Sequence, residues 1–171
     1  MKTKHLILSL FLFATIITFF ACKKDNNAGT STLQVRLTDN PVAYDQVNVD
    51  IREVRVNFRD DSTGWVTLAT NAKVYNLLKL QNGVDTLLAT GTVPTGMVKE
   101  IRLILGSNNT VVVGGVSYPL TIPSGSESGL KIKVNKELSA TLETLIVDFD
   151  AALSINLEPG GYKLRPVLKI K

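Results

Sequence analysis

Histidine and cysteine are almost missing from this 171-residue chain: the one His is His5 and the one Cys is Cys22. Beyond residue 22 there is neither an imidazole nor a thiol. Ser-His-Asp and Cys-His catalysis both need an imidazole base, so both are excluded there. Zinc sites built from Cys and His are excluded for want of ligands. No Walker-type glycine loop occurs, and no Gly-x-Gly-x-x-Gly follows a strand pattern, so a nucleotide has no cradle. No loop has the Asp-x-[Asp/Asn]-x-[Asp/Asn]-Gly spacing of an EF-hand. Aromatic residues are also scarce, at 6%. Four of the six Phe precede Cys22, which leaves Tyr44, Phe58, Trp65, Tyr75, Tyr118, Phe149 and Tyr162. Only carboxylates, Lys, Ser and Tyr remain for catalysis, and the expectation is that the protein is not an enzyme.

What is present begins with an address. Lys2 and Lys4 precede an uncharged run from Leu6 to Ala21, shorter than the ~20 residues of a membrane-crossing helix. A basic start and a short apolar run are the anatomy of a secretory signal. The run ends in Phe19-Phe20-Ala21-Cys22, which resembles the lipobox of bacterial lipoproteins, with Phe19 where Leu is usual. That resemblance implies a signal peptide over 1–21, cleavage before Cys22, and acyl chains such as palmitate on the Cys22 residue. The other two readings are an uncleaved anchor and a plain secretory signal with an incidental Cys. Lipidation places the protein in a Gram-negative cell envelope, on the outer membrane, at its periplasmic or surface face. Residues 22–31 are polar and aperiodic and read as a flexible tether; 32–171 read as a single domain. Removing Lys2 and Lys4 from the 19 basic residues leaves 17 against 15 acidic, a net +2. A near-neutral exported domain has no electrostatic footprint for nucleic acid. Lys23 and Lys24 would sit beside the lipid, either drawn to anionic head groups or merely soluble.

From Leu33 the hydrophobic period is two. Leu33, Val35 and Leu37 alternate with polar residues, the pattern of a half-buried strand. Val47, Val49 and Ile51 are followed by Val54, Val56 and Phe58 in the opposite parity, which predicts a bulge near Arg52-Glu53 or a strand crossing between sheets. Asp60-Asp61-Ser62-Thr63-Gly64 is a turn into Trp65. Gly114-Gly115 between Val111 and Leu120 predicts a hairpin with a primed turn. Val74 to Leu88 reads as mostly extended. Every odd position from Leu145 to Leu157 is apolar, and a last strand carries Leu164, Leu168 and Ile170. Many short strands with regular turns predict an all-β fold, an antiparallel β-sandwich or barrel of Greek-key type. A domain near 150 residues buries about 68–70% of its unfolded surface, enough for a core without disulfides.

Leu37-Thr38-Asp39-Asn40-Pro41 with Tyr44-Asp45-Gln46-Val47-Asn48-Val49-Asp50-Ile51, Gly64-Trp65, Asn76-Leu77-Leu78, Lys99-Glu100-Ile101-Arg102-Leu103, Asp148-Phe149-Asp150-Ala151 and Gly161-Tyr162-Lys163-Leu164 resemble, in order, the domain of unknown function 4382 family. The resemblance runs from Leu33 to Lys171. It implies a secreted bacterial protein, often a lipoprotein, with a prealbumin-like β-sandwich and no agreed activity.

Several residues are candidates for a site. Asp148 and Asp150 alternate with Val147, Phe149 and Ala151, which predicts both carboxylates on the polar face of one strand, with their Cβ atoms roughly 6.6 Å apart. They read as solvated or hydrogen-bonded aspartates, as calcium ligands with Asp39, or as an acid/base pair of glycosidase spacing. Asp39, before Asn40-Pro41, reads as a turn former or as a further calcium ligand. Tyr44 and Trp65 are candidate carbohydrate platforms; Trp65 is out of parity with Val66 and Leu68 and is expected to face away from them. Lys131, Lys133, Lys163, Arg165, Lys169 and Lys171 read either as a basic stripe for anionic polysaccharide or lipid, or as edge-strand protection. The loops Asp39–Tyr44, Asp60–Gly64 and Ser124–Gly129 are the expected recognition elements. The function expected is a membrane-anchored binding or adhesion module for carbohydrate or an envelope protein. The alternatives are a structural envelope component without a small ligand and a carboxylate-dependent enzyme acting on glycans.

Overall fold

Alternating sequences of this kind bury one side of a strand, as Thr30–Thr38 and Gln46–Asn57 do here, and the described residues form thirteen strands. The computed structural model describes residues 29–123, 129–139 and 141–171. The expected signal peptide, Cys22, the expected tether up to residue 28, loop residues 124–128 and Ala140 lie outside the described residues. The strands are β1 (Thr30–Thr38), β2 (Gln46–Asn57), β3 (Trp65–Thr70), β4 (Lys73–Asn76), β5 (Thr86–Pro94), β6 (Gly96–Leu105), β7 (Thr110–Val113), β8 (Val116–Pro119), β9 (Leu130–Leu138), β10 (Leu142–Phe149), β11 (Ile155–Glu158), β12 (Gly161–Leu164) and β13 (Leu168–Ile170), with one helical turn, α1 (Ala151–Ser154). The strands begin earlier than the composition of residues 22–31 suggests. Thr30 and Ser31 already belong to β1, and Ser31 is buried.

The all-β class holds. Eleven strands form one curled sheet with the path β13-β10-β1-β5-β3-β2-β6-β9, to which β4, β7 and β8 attach through β2; β11 and β12 form a separate hairpin. Pairing is mixed: β1 and β10 run parallel, from Thr32 opposite Leu142 to Thr38 opposite Asp148. Alternation gives the face of a strand and not its direction, which is why only antiparallel pairing was expected. The curl brings the terminal strands β9 and β13 into contact. The core inside it includes Leu33, Val35 and Leu37 of β1, Val54 and Val56 of β2, Ile101 and Leu103 of β6, and Phe149.

The parity conflict in β2 is resolved by a bulge. The register of β2 against β6 shifts between Ile51 and Glu53, so Ile51 and Val54 are both buried. The predicted hairpin also forms: Val113 opposes Val116, with Gly114 and Gly115 at φ +58° and +77°, the two positive values a primed turn needs. Three readings change. Val74 to Leu88 is not one extended stretch, because Leu77–Leu80 make a 3₁₀ turn after Asn76, whose side chain accepts from Leu78 N. The odd-phase run after Leu145 is interrupted by α1, where Asp150 Oδ1 accepts from Leu153 N at 3.1 Å. The last strand is split into β12 and β13 by Arg165-Pro166-Val167.

Strand directions divide the loops between two ends. Gly29 and the start of β1 lie beside Thr95, whose N–H donates to Gly29 O at 2.8 Å. The β2–β3 loop, the β5–β6 turn and the start of β10 share this first end, as the registers Asn57 with Glu100, Gly96 with Leu138 and Thr32 with Leu142 require. The Asp39–Asp45 segment, the Leu77–Leu80 turn, the β6–β7 loop and α1 lie at the second end.

Candidate functional site

Three aspartates meet at the second end, and none of them is on an outward face. Asp39 and Asp148 are each 2% exposed and Asp150 6%. β10 lies between β1 and β13, and the polar phase predicted to face water is covered by Asn40, Lys169 and Lys171. Each carboxylate has partners. Asp148 Oδ2 accepts from Asn40 Nδ2 at 2.9 Å and lies 3.2 Å from Lys171 Nζ. Asp150 caps α1 and pairs with Lys169 Nζ at 3.3 Å. Asp39 accepts from Ala151 N at 3.0 Å and from Gln81 Nε2 at 3.1 Å. Asp148 Oδ1 is buried without a hydrogen-bond partner among the described residues. Among the described residues no three His, Cys, Asp or Glu side chains are placed to hold a metal ion. At Asp148 and Asp150 a cation would have to compete with the two ammonium groups.

Burial raises the Asp39 pKa above the usual aspartate value, against the lowering effect of Ala151 N–H, Gln81 and Asn40, and the Asp148 charge adds to the rise. A raised folded pKa contributes stability that is complete below the unfolded value and is lost as pH rises through the folded one. Asp39→Asn removes that loss. The stability difference between variant and wild type is therefore expected to move in the variant's favour as pH rises through the window just above the ordinary aspartate pKa. Urea midpoints at stepped pH check this; a flat difference or the opposite slope would contradict it.

The two aromatic candidates are not together. Tyr44 belongs to the second end, half-buried and packed against the core. Trp65 begins β3 at the first end and, as its parity predicts, faces away from Val66 and Leu68, with the Arg102 guanidinium 4.1 Å from its ring centroid. The loops Asp39–Tyr44 and Asp60–Gly64 likewise stand at opposite ends, and of Ser124–Gly129 only Gly129 is among the described residues. The basic stripe also divides. Lys163 donates to Thr121 Oγ1, Arg165 pairs with Glu158, and Lys169 and Lys171 hold the aspartates. Lys131 and Lys133 lie on β9, a terminal strand.

Sequence reasoning missed a surface formed by two hairpins, β7–β8 and β11–β12. Tyr118 of β8 and Tyr162 of β12 are 5.2 Å apart between ring centroids and tilted by 51°. Leu157 opposes Tyr162 and is 72% exposed; Val116, two residues from Tyr118, is also exposed. Its signal was Val116 and Tyr118 sharing one phase of β8, and Leu157 ending the odd-phase run. The segment that follows Tyr118, Pro119 to Pro123, borders a groove of about 580 Å³ whose other wall is Leu105 to Ser107 with Asn109. That wall is held by Asp50, a fully buried carboxylate in ion pair with Arg52 Nε at 2.7 Å. Asp50 Oδ2 accepts from Asn108 N at 3.2 Å, and Asp50 N donates to Asn109 Oδ1 at 2.9 Å.

Residues 30–166 match the model of a family described as a domain of unknown function (DUF4382). No curated protein and no solved structure matches the chain.

Proposed function

Because the chain belongs to the DUF4382 family, whose description assigns no activity, we propose its role from its own residues: a lipid-anchored, extracytoplasmic module that binds carbohydrate on the Tyr118–Tyr162 surface and catalyses no reaction. The observation that carries this reading is a strip on two hairpins in which exposed Val116, Tyr118 and Leu157 flank half-buried Tyr162. Aromatic rings with a polar edge are suited to sugar faces, and contiguous exposed apolar surface marks interaction sites. The anchor is Cys22, separated from Gly29 by the six residues 23–28, and Gly29 enters at the first end of the sheet. The Asp39–Asp45 and β6–β7 loops of the second end then point away from the membrane. The absence of His beyond His5, and the engagement of Asp148 and Asp150 by lysines, support a non-catalytic role. Leu157, aliphatic and exposed, also favours a second reading in which the same strip seats an envelope protein.

The test is a glycan array with the full chain in neutral detergent, with calcium and with chelator. Binding is expected that weakens roughly tenfold or more in Tyr118→Ala and Tyr162→Ala, the scale of a lost aromatic anchor. Silence on the array with both conditions would sink the carbohydrate reading, and capture of an envelope protein that fails with Leu157→Ser would put the second in its place. Binding abolished by chelator would assign calcium to the assembly. The anchor is tested by Cys22→Ser, which should release the protein from the membrane fraction and end incorporation of labelled palmitate.

A further inference from the structure

On the solvent side of β3, β2, β6 and β9, two in-register rows cross the strands. One reads Thr67, Arg55, Arg102, Lys131, and the next Trp65, Asn57, Glu100, Lys133. Directly opposed side chains on antiparallel strands have their Cβ atoms ~4.5–5.5 Å apart, and like charges so placed are destabilising. The first row sets three cations side by side. Arg55 is compensated by Glu53 on its own strand. Arg102 has no ion-pair partner among the described residues: its guanidinium lies over Trp65, and its Nε is buried without an acceptor there. Lys131 and Lys133 are exposed and have no ion-pair partner among the described residues. Edge protection accounts for lysines on β9, a terminal strand. It does not account for Arg55 and Arg102, which stand on inner strands where no edge is open. Beyond Lys133 the face continues into a recess of about 420 Å³ bordered by Arg59 and Lys99, with Asp60 and Glu100 as its acidic groups.

We propose that this face binds an acidic polysaccharide, a chain of sugars carrying carboxylates at regular intervals. Repeated anions along one chain match cations repeated from strand to strand at ~4.8 Å. Arg102 offers a planar fork of donors suited to a carboxylate, and its Nε lacks an acceptor among the described residues. The Trp65–Arg102 stack supplies a flat surface beside the charges for a sugar ring. The face lies on other strands than the tyrosine strip and does not depend on it.

The test uses the full chain in neutral detergent and polygalacturonate as the probe, with affinity from calorimetry. Trp65 is the only tryptophan, so its emission reports whether the polymer reaches this face. Saturable binding with a change in Trp65 emission is expected, weakened by added salt because the Debye length is only about 8 Å at 0.15 M. Arg102→Gln should weaken it roughly tenfold, the scale of one charged hydrogen-bonding group. Lys131→Gln with Lys133→Gln, both at exposed positions, should weaken it comparably and keeps the test decisive if Arg102→Gln unfolds. No binding, equal binding of neutral dextran, or affinity unchanged in both variants would overturn the proposal. Equal binding of polyglutamate, or of phosphatidylglycerol vesicles, would overturn it in favour of an acidic protein or a lipid surface. Array binding that persists while polygalacturonate fails would remove this proposal alone and leave the tyrosine surface standing.

Discussion

Phe149→Ala is expected to lower the unfolding free energy by about 3–5 kcal/mol, the range for truncating a buried aromatic. Phe149 is fully buried at the end of β10, opposite Leu168 of β13. Against a typical total of about 5–15 kcal/mol, that loss brings the domain close to unfolding at ambient temperature. The position makes the effect local as well as global. Phe149 stands between Asp148 and Asp150, and Ala151 N donates to Asp39. A cavity there loosens the strand end that carries Asp148 and Asp150 and the Ala151 N–H that holds Asp39. Urea denaturation followed by the Trp65 signal measures the change, and Phe149→Leu should cost less because more of the volume is kept. A loss below about 1 kcal/mol for the alanine variant would mean that the core collapses around the vacancy.

Gly129→Ala carries the second large effect, from two sources that add. Gly129 has φ +88°, and a Cβ built there would lie 2.9 Å from the Leu103 carbonyl oxygen and 2.8 Å from Arg102 Cγ. The left-handed backbone costs a residue with a Cβ roughly 1–2 kcal/mol. Crowding against backbone adds about 1–3 kcal/mol. Gly114 separates the two, since its φ is +58° and nothing lies within 4 Å of a Cβ there. Gly114→Ala should show the backbone part only. Thermal melts of both variants check this, and equal shifts would show that contact with Leu103 and Arg102 contributes nothing. Because Gly129 leads into β9 beside Arg102, its substitution should also displace the Arg102–Lys131 pairing and weaken any anion bound there.

Much of this architecture is legible in the residues themselves. Alternation in β1, β2, β9 and β10 gives strands and their buried faces, because a period of two admits one apolar side. The flip between Ile51 and Val54 gives the bulge, since no regular strand can bury both. Gly114-Gly115 gives a turn of two positive φ values. Trp65 reads correctly as facing away from Val66. Asp148 and Asp50 were not legible. Both fall in the polar phase of a strand, where local pattern predicts solvent, and both are buried by chain distant in sequence, Asn40 and Lys171 for one and the Gly106–Asn109 loop for the other.

The sequence by itself determined that this is an all-β domain with neither imidazole nor thiol beyond Cys22. Composition and periodicity are local properties and are complete before folding. Only the tertiary structure decided that β1 and β10 run parallel, that Tyr44 and Trp65 stand at opposite ends, and that Arg55, Arg102 and Lys131 form one row. Strand order and register arise from pairings across tens of residues, and hydrophobic alternation is the same for every partner a strand could choose.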